Sequence, residues 1–245
     1  ATDTLGNVWD ATAEGAYDIE HGAGGSFAVS VYTSEFQGTW VVTATADGAS
    51  DTALLTVNPA AAVEVDLQPD SETVTAGESV TYTLTATDTL GNVWDATAEG
   101  AYHIEHGAGG SFAVNVYTSE FQGTWVVTGT IEGTSDTALL TVNPARAVEI
   151  DLQPDLETVT AGESVTYTLT ATDTFGNAWD ATAAGVYDIE HGAGGSFAAN
   201  VYTSEFQGTW VVTGTVDGAS DTALLTVEPA AAADVTLTPS PETVT

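Results

Sequence analysis

One stretch of sequence recurs head to tail with a fixed spacing. Ala1-Thr2-Asp3-Thr4-Leu5-Gly6-Asn7 returns from Ala86 and, with Phe175 for leucine, from Ala171, so the period is 85 residues. Residues 1–59 differ from 86–144 at 6 positions, and 86–144 differ from 171–229 at 10. Near-identity of this kind indicates recent tandem duplication. A unit of this length is the size of a small domain that buries its own core, unlike the roughly 20–45 residues of a solenoid repeat.

Proline-marked runs of small residues divide the copies: Asn58-Pro59-Ala60-Ala61-Ala62, Asn143-Pro144-Ala145-Arg146-Ala147 and Glu228-Pro229-Ala230-Ala231-Ala232. They predict complete domains over 60–144 and 145–229. Residues 1–59 then form an incomplete domain lacking its opening strands, and 230–245 supply the opening strand of a further one. On this reading the chain is a cut through a longer array. Val235, Leu237 and Val244 are expected to complete the head of a neighbouring segment, covalently or by strand donation.

Within a unit the apolar period is two. Val63, Val65 and Leu67 alternate with Glu64 and Asp66; Val80, Tyr82, Leu84 and Ala86 alternate with threonines; Ala138, Leu140 and Val142 flank Thr141. Further strands are expected at Val93 to Thr97, Ala101 to Glu105, Phe112 to Thr118 and Thr124 to Thr130, separated by glycine-bearing turns. About seven short strands and no helix read as an all-β immunoglobulin-like antiparallel β-sandwich, repeated in tandem. Trp40, Trp125 and Trp210 alternate with valines in one of these strands and are expected between the two sheets, as core.

These residues carry a resemblance. The run "LQPDSETVTAGESVTYTLTATDTLGNVWDAT", followed by "GAGGSF", "VYTSEFQGTWVVTGT" and "SDTALLTV", resembles the bacterial immunoglobulin-like (Big) repeats of invasin- and intimin-type adhesins, over the whole chain. The resemblance implies an extracellular module that spaces, stiffens or presents, with no catalytic residues to carry over.

Charge excludes several function classes. Against 35 Asp and Glu stands one basic residue, Arg146, for a net charge of -34. Such a chain cannot neutralise a phosphate backbone, so nucleic acid is a poor partner. Lacking lysine and cysteine, it can be neither a P-loop NTPase nor a Schiff-base or thiol enzyme. No apolar run approaches the ~20 residues that span a bilayer. Hydrophobic content of 43% nevertheless suits packed cores, so the acid lies on folded surface.

Candidate chemistry is sparse. Glu20-His21-Gly22-Ala23-Gly24-Gly25-Ser26 and its copies look like an oxyanion loop, but the strand-to-helix Gly-x-Ser-x-Gly elbow is missing, and a glycine-rich turn explains the same residues. His21, His106, His191 and His103 fall short of a metal-ligand set. Hard oxygen donors bracketing a Gly-Asn turn make the better ion site: Asp3, Asn7 and Asp10; Asp88, Asn92 and Asp95; Asp173, Asn177 and Asp180, with calcium as the expected cation. The competing reading is that Asp and Asn there bond their own backbone. Trp9, Trp94 and Trp179 beside these turns are candidates for glycan stacking. The expectation is a non-enzymatic rod of an extracellular filament, sheath or adhesin stalk whose partners are neighbouring copies of itself. The alternative is a glycan-binding adhesin module that uses calcium.

Overall fold

The computed structural model describes residues 1–236, which form strands and turns without a helix. Correspondingly, among the described residues no helix is long and apolar enough to cross a membrane. The residues group into two compact units. One contains Ala1–Val74, Glu78–Ser119 and Gly123–Val142; the other contains Thr75–Gly77, Glu120–Gln122 and the chain from Asn143 onward.

Between residues 62 and 143 ten strands build three antiparallel-rich sheets of an immunoglobulin-like sandwich. Ala62–Gln68 lies beside Thr83–Asp88, which pairs with Val93–Asp95. Facing them is a four-stranded sheet in the order Ala101–Ile104, Gly123–Ile131, Thr134–Asn143, Ser71–Thr75. A small third sheet joins Ser111–Ala113, Val116–Thr118 and Ser79–Thr81. The period-two pattern produces this arrangement because alternate side chains of each strand share one apolar interior.

The 145–229 copy repeats the plan and shows how its opening segment serves both sheets. Glu149–Gln153 is antiparallel to Thr168–Thr172; after the cis Gln153–Pro154 peptide, Leu156–Thr160 runs parallel to Ala219–Glu228, with Leu156 opposite Leu224.

Two expected strands are divided. The run Val80 to Ala86 becomes Ser79–Thr81 and Thr83–Asp88 in different sheets, because Tyr82 leaves both ladders. Its N–H donates to Asn115 O at 2.9 Å and its carbonyl accepts Asn115 Nδ2 at 2.7 Å. The run Phe112 to Thr118 folds back as a hairpin, Ser111–Ala113 against Val116–Thr118, with Val114 at φ 56° in the turn.

The centre of the core is aliphatic and tyrosyl. Leu67, Tyr82, Leu84, Tyr117, Val127 and Leu140 have no exposed surface, and each of the aliphatic side chains contributes about 1.5–3 kcal/mol by leaving water. Trp40, Trp125 and Trp210 are only half-buried. Trp210 packs against the core cluster from its margin and donates its indole N–H to Phe206 O at 3.0 Å.

Residues 1–59 form the later part of the same plan: a three-stranded sheet, Ala16–Ile19, Gly38–Ala46, Ala49–Val57, and the hairpin Ser26–Ala28 with Val31–Thr33. Strand Ala49–Val57 lies at the sheet edge here, whereas its counterparts pair with a fourth strand. Leu54 is accordingly 75% exposed, against 44% for the equivalent Leu224. Of the expected assembly residues, Val235 lies outside any strand and is exposed, and Leu237 and Val244 lie outside the described residues.

Candidate functional site: the Asp-Asn joint

The Asp88-Thr89-Leu90-Gly91-Asn92 turn is assembled by its own side chains. Asp88 N donates to Asn92 O, and Gly91, at φ 84°, supplies the left-handed step. Asp88 Oδ1 accepts the N–H groups of Leu90 and Asn92 at 2.8 and 2.9 Å; Oδ2 accepts Asn92 Nδ2 at 2.8 Å and Ala60 N at 2.9 Å. One carboxylate thus organises the turn and anchors the linker residue Ala60 to it.

Asn92 then extends the contact to the preceding copy, within the first unit. Its Oδ1 accepts Gln37 N at 2.8 Å and its Nδ2 donates to Glu35 O at 3.0 Å, while Gln37 Nε2 donates to Val93 O. Within the second unit the set recurs: Gln122 N to Asn177 Oδ1 at 2.8 Å, Asn177 Nδ2 to Glu120 O at 2.9 Å, and Ala145 N to Asp173 Oδ2 at 2.8 Å. Asp88, Asn92, Asp173 and Asn177 are buried.

The electrostatics follow from these donors. Burial pushes the Asp88 carboxyl upward, but hydrogen bonds from the Asn92 side chain and the N–H groups of Ala60, Asn92 and Leu90 outweigh it and hold the group at about 2. Asp173 is lowered against the same burial by the equivalent donors. Half-buried Asp3 has three of the four donors, from Leu5 and Asn7, and is lowered chiefly by the Asn7 side chain.

The third members of the expected ion sites serve a different turn. Asp95 Oδ1 accepts Thr97 N at 2.9 Å, and Asp10 and Asp180 do the same for Thr12 and Thr182. Among the described residues, three carboxylates converge elsewhere, at Asp151, Asp155 and Asp221. There Gln153 Nε2 bridges Asp151 and Asp155, and Asp221 accepts Leu152 N at 2.9 Å.

Sequence reasoning missed one device. Glu132 Oε2 accepts Ala62 N and Asp136 Oδ2 accepts Leu67 N, both at 2.9 Å, so two hairpin carboxylates clamp the opening strand. Asp217 and Asp221 hold Ala147 and Leu152 in the same way. An acidic residue immediately before the tip Gly-Thr or Gly-Ala pair and another two positions after it was no signal, because each looks like any exposed turn charge. In the first copy the corresponding Asp47 and Asp51 line a groove of about 660 Å³ with Trp9, Tyr17 and Ala44. Position 44 is Gly129 and Gly214 in the other copies, where a Cβ would approach Leu67 and Leu84, or Leu169 and Leu152, to about 3 Å.

The remaining candidates fit turn roles. In the glycine-rich loop Ala108 is buried, and Tyr117 Oη donates to Gly109 O at 2.8 Å. His21, His103, His106 and His191 are all exposed.

No protein-family model matches the chain, and comparison with curated protein sequences gives no match. Among solved structures it is similar to surface layer protein SbsC domains 1-6, at 17% identity and TM-score 0.33 over 94% of this chain. It is also similar to protocadherin gammaB7 EC3-6, a cis-dimer structure, at 14% identity and TM-score 0.40 over 89% of this chain. The chain spans 37% of the SbsC chain and 67% of the protocadherin chain.

Proposed function

We propose that this chain is a non-enzymatic structural segment of an extracellular filament, sheath or adhesin stalk, in which β-sandwich copies stack head to tail through the Asp-Asn joint as a semi-rigid acidic rod. The carrying observation is the Gln37 to Asn92 contact, which returns with the same 2.8 Å length at Gln122 to Asn177. A freely hinged linker has no need of a buried, four-donor carboxylate holding the residue that follows its proline. The deficit of basic residues extends the reading, since like charge keeps successive and neighbouring copies apart.

Small-angle scattering of the chain tests this. The maximum dimension of a stiff array is expected to shorten, and the profile to become that of a flexible chain, in the Asn92→Ala, Asn177→Ala double variant. Identical profiles overturn the joint as the stiffening element.

The edge strand of the copy at 1–59 adds the finer proposal that a neighbouring segment pairs with it. The edge strand Ala49–Val57 and the Asp47 and Asp51 carboxylates offer what the opening strand occupies elsewhere. A boiled gel of native material separates the covalent from the strand-donated form: a ladder or very large band supports one continuous chain, and a single 25 kDa band overturns it.

A second reading keeps the groove as a glycan site, because Trp9 lines it and is 39% exposed. A glycan array with and without calcium, using Trp9→Ala as control, tests it. Loss of a sugar signal in the variant supports this reading, and no signal in the parent removes it.

A further inference from the structure

The two outer faces of each sandwich differ in charge. Across one, Glu64, Asp66 and Asp95 project from the sheet containing Ala62–Gln68, all exposed. The other face, built on the hairpin Gly123–Ile131 and Thr134–Asn143, carries none between its ends. Three cross-strand pairs cover it: Thr124 with Thr141, Val126 with Leu139, and Thr128 with Thr137. Their inward neighbours Val127, Ala138 and Leu140 are buried, so the strand alternation directs all six outward. Carboxylates enter only at the flanks. Glu105 turns back to accept Val126 N at 3.3 Å, and the position of exposed His103 is Asp18 or Asp188 in the other copies.

A hairpin whose own outward residues include no acid is unexpected on a chain of net charge -34 with 35 acidic residues. The carboxylates that reach it, from Glu105 and from the Asp18 and Asp188 positions, come from the neighbouring strand. Its centre is also apolar. Val126 and Leu139 are 37% and 51% exposed, and the pairs Val41 with Leu54 and Val211 with Leu224 occupy the same place in the other copies. Charge selects the occupant. Two identical acidic chains repel wherever carboxylates meet, and on this face a second copy meets carboxylates only from the strand beside the hairpin, against the row Glu64, Asp66 and Asp95 on the opposite face. We infer that the Thr-Val-Leu face of the four-stranded sheet is a self-association surface that takes the same face of a second copy of this chain.

Area sets the strength. The four strands, of 4, 9, 10 and 5 residues, at about 3.3 Å per residue and 4.8 Å per strand cover roughly 450 Å², below the ~800 Å² per partner of a stable interface. Association through one copy is therefore weak, and engagement of two or more linked copies is needed for it to persist. The surface shares no residue with the Asp-Asn joint, so its failure leaves the joint standing.

Sedimentation equilibrium of the 245-residue chain at low and high NaCl tests the inference. Salt screens the flanking and remote carboxylates while leaving apolar contact intact, so self-association is expected to strengthen with salt. Val126→Asp with Val211→Asp adds two charges at exposed positions and is expected to weaken association about tenfold or more. Thr83→Asp with Thr168→Asp adds the same charge to the opposite face and is expected to change it less than about twofold. Thermal melting confirms that both variants fold. The inference is overturned by a chain that stays monomeric at all salts to about 1 mM, or by two double variants of equal effect. Glycan binding by a monomer through this face overturns it as well.

Discussion

The side-chain carbonyl of Asn92 accepts the backbone N–H of Gln37, 55 positions earlier, at 2.8 Å, while its amide donates to Asp88 and to Glu35. A single buried amide therefore ties a turn, its organising carboxylate and the preceding copy's loop together. Asn177 performs the same task with Gln122, Asp173 and Glu120.

Asn92→Ala leaves the Gln37 N–H and the Glu35 carbonyl without this partner and removes one donor from Asp88. Each unmade buried bond costs about 1–3 kcal/mol, so the variant is expected to lower the denaturation midpoint measurably. Asn92→Asp, which sets a second carboxylate against Asp88, should lower it further at neutral pH. Hydrogen exchange at the Gln37 amide is expected to accelerate in both, and unchanged exchange there counts against the joint.

Acid should weaken the turn over a defined window. The folded Asp88 carboxyl sits at about 2, below the ~3.9 of an unfolded aspartate. The unfolded chain therefore binds more protons between these values, so the contribution is fully present above about pH 4 and is lost as pH falls towards 2. Asp173 is shifted in the same direction. Melting temperature followed from pH 5 to 2 is expected to fall less steeply in Asp88→Asn than in the parent.

Tyr82 and Tyr117 should respond oppositely to loss of a hydroxyl. Tyr82 Oη is buried without a hydrogen-bond partner, whereas Tyr117 Oη donates to Gly109 O at 2.8 Å. Tyr82→Phe is expected to be neutral or stabilising, and Tyr117→Phe to cost about 0.5–1.5 kcal/mol by chemical denaturation. Burial, with Glu72 and Tyr117 nearby, raises the Tyr82 hydroxyl to about 12. Its folded value exceeds the ~10 of a free tyrosine, so stability present below pH 10 is lost as pH rises towards 12. Tyrosinate absorbance should report that late ionisation.

Two glycines with positive φ separate strain from collision. A Cβ on Gly110, at φ 64°, would collide with the Thr118 carbonyl oxygen, while one on Gly133, at φ 89°, meets nothing within 4 Å. Gly133→Ala is expected to cost about 1 kcal/mol from backbone conformation alone. Gly110→Ala should cost about 2–4 kcal/mol, since the hairpin must shift as well. Equal losses in thermal melts would show that the collision is relieved elsewhere.

The repeat period and the strand alternation were sufficient to read an all-β tandem sandwich, because a two-residue apolar period has one way to bury itself. Leu67, Leu84 and Leu140 lie where that period places them. Strand breaks were not legible: Val80 to Ala86 alternates without interruption, yet Tyr82 turns aside to Asn115, a partner 33 positions away. Trp125 shares a strand face with buried Val127 yet is only half-buried, and Tyr82 and Tyr117 fill the centre. Asp88 and Asn92 stand out in the sequence because they bracket a Gly-Asn turn. What they pair with could not be read, because Ala60, Glu35 and Gln37 are 28 to 57 residues distant in the chain.

The sequence by itself determined the copy number, the sandwich class and the acidity, since these follow from periodicity and composition, which every residue carries locally. Only the tertiary structure decided what the carboxylates do. Asp88 organises a joint, Asp136 clamps an opening strand, and Glu105 folds back to accept Val126 N. Those roles depend on which N–H groups the fold brings within hydrogen-bonding distance, and on which side of a strand each residue falls once the register is set.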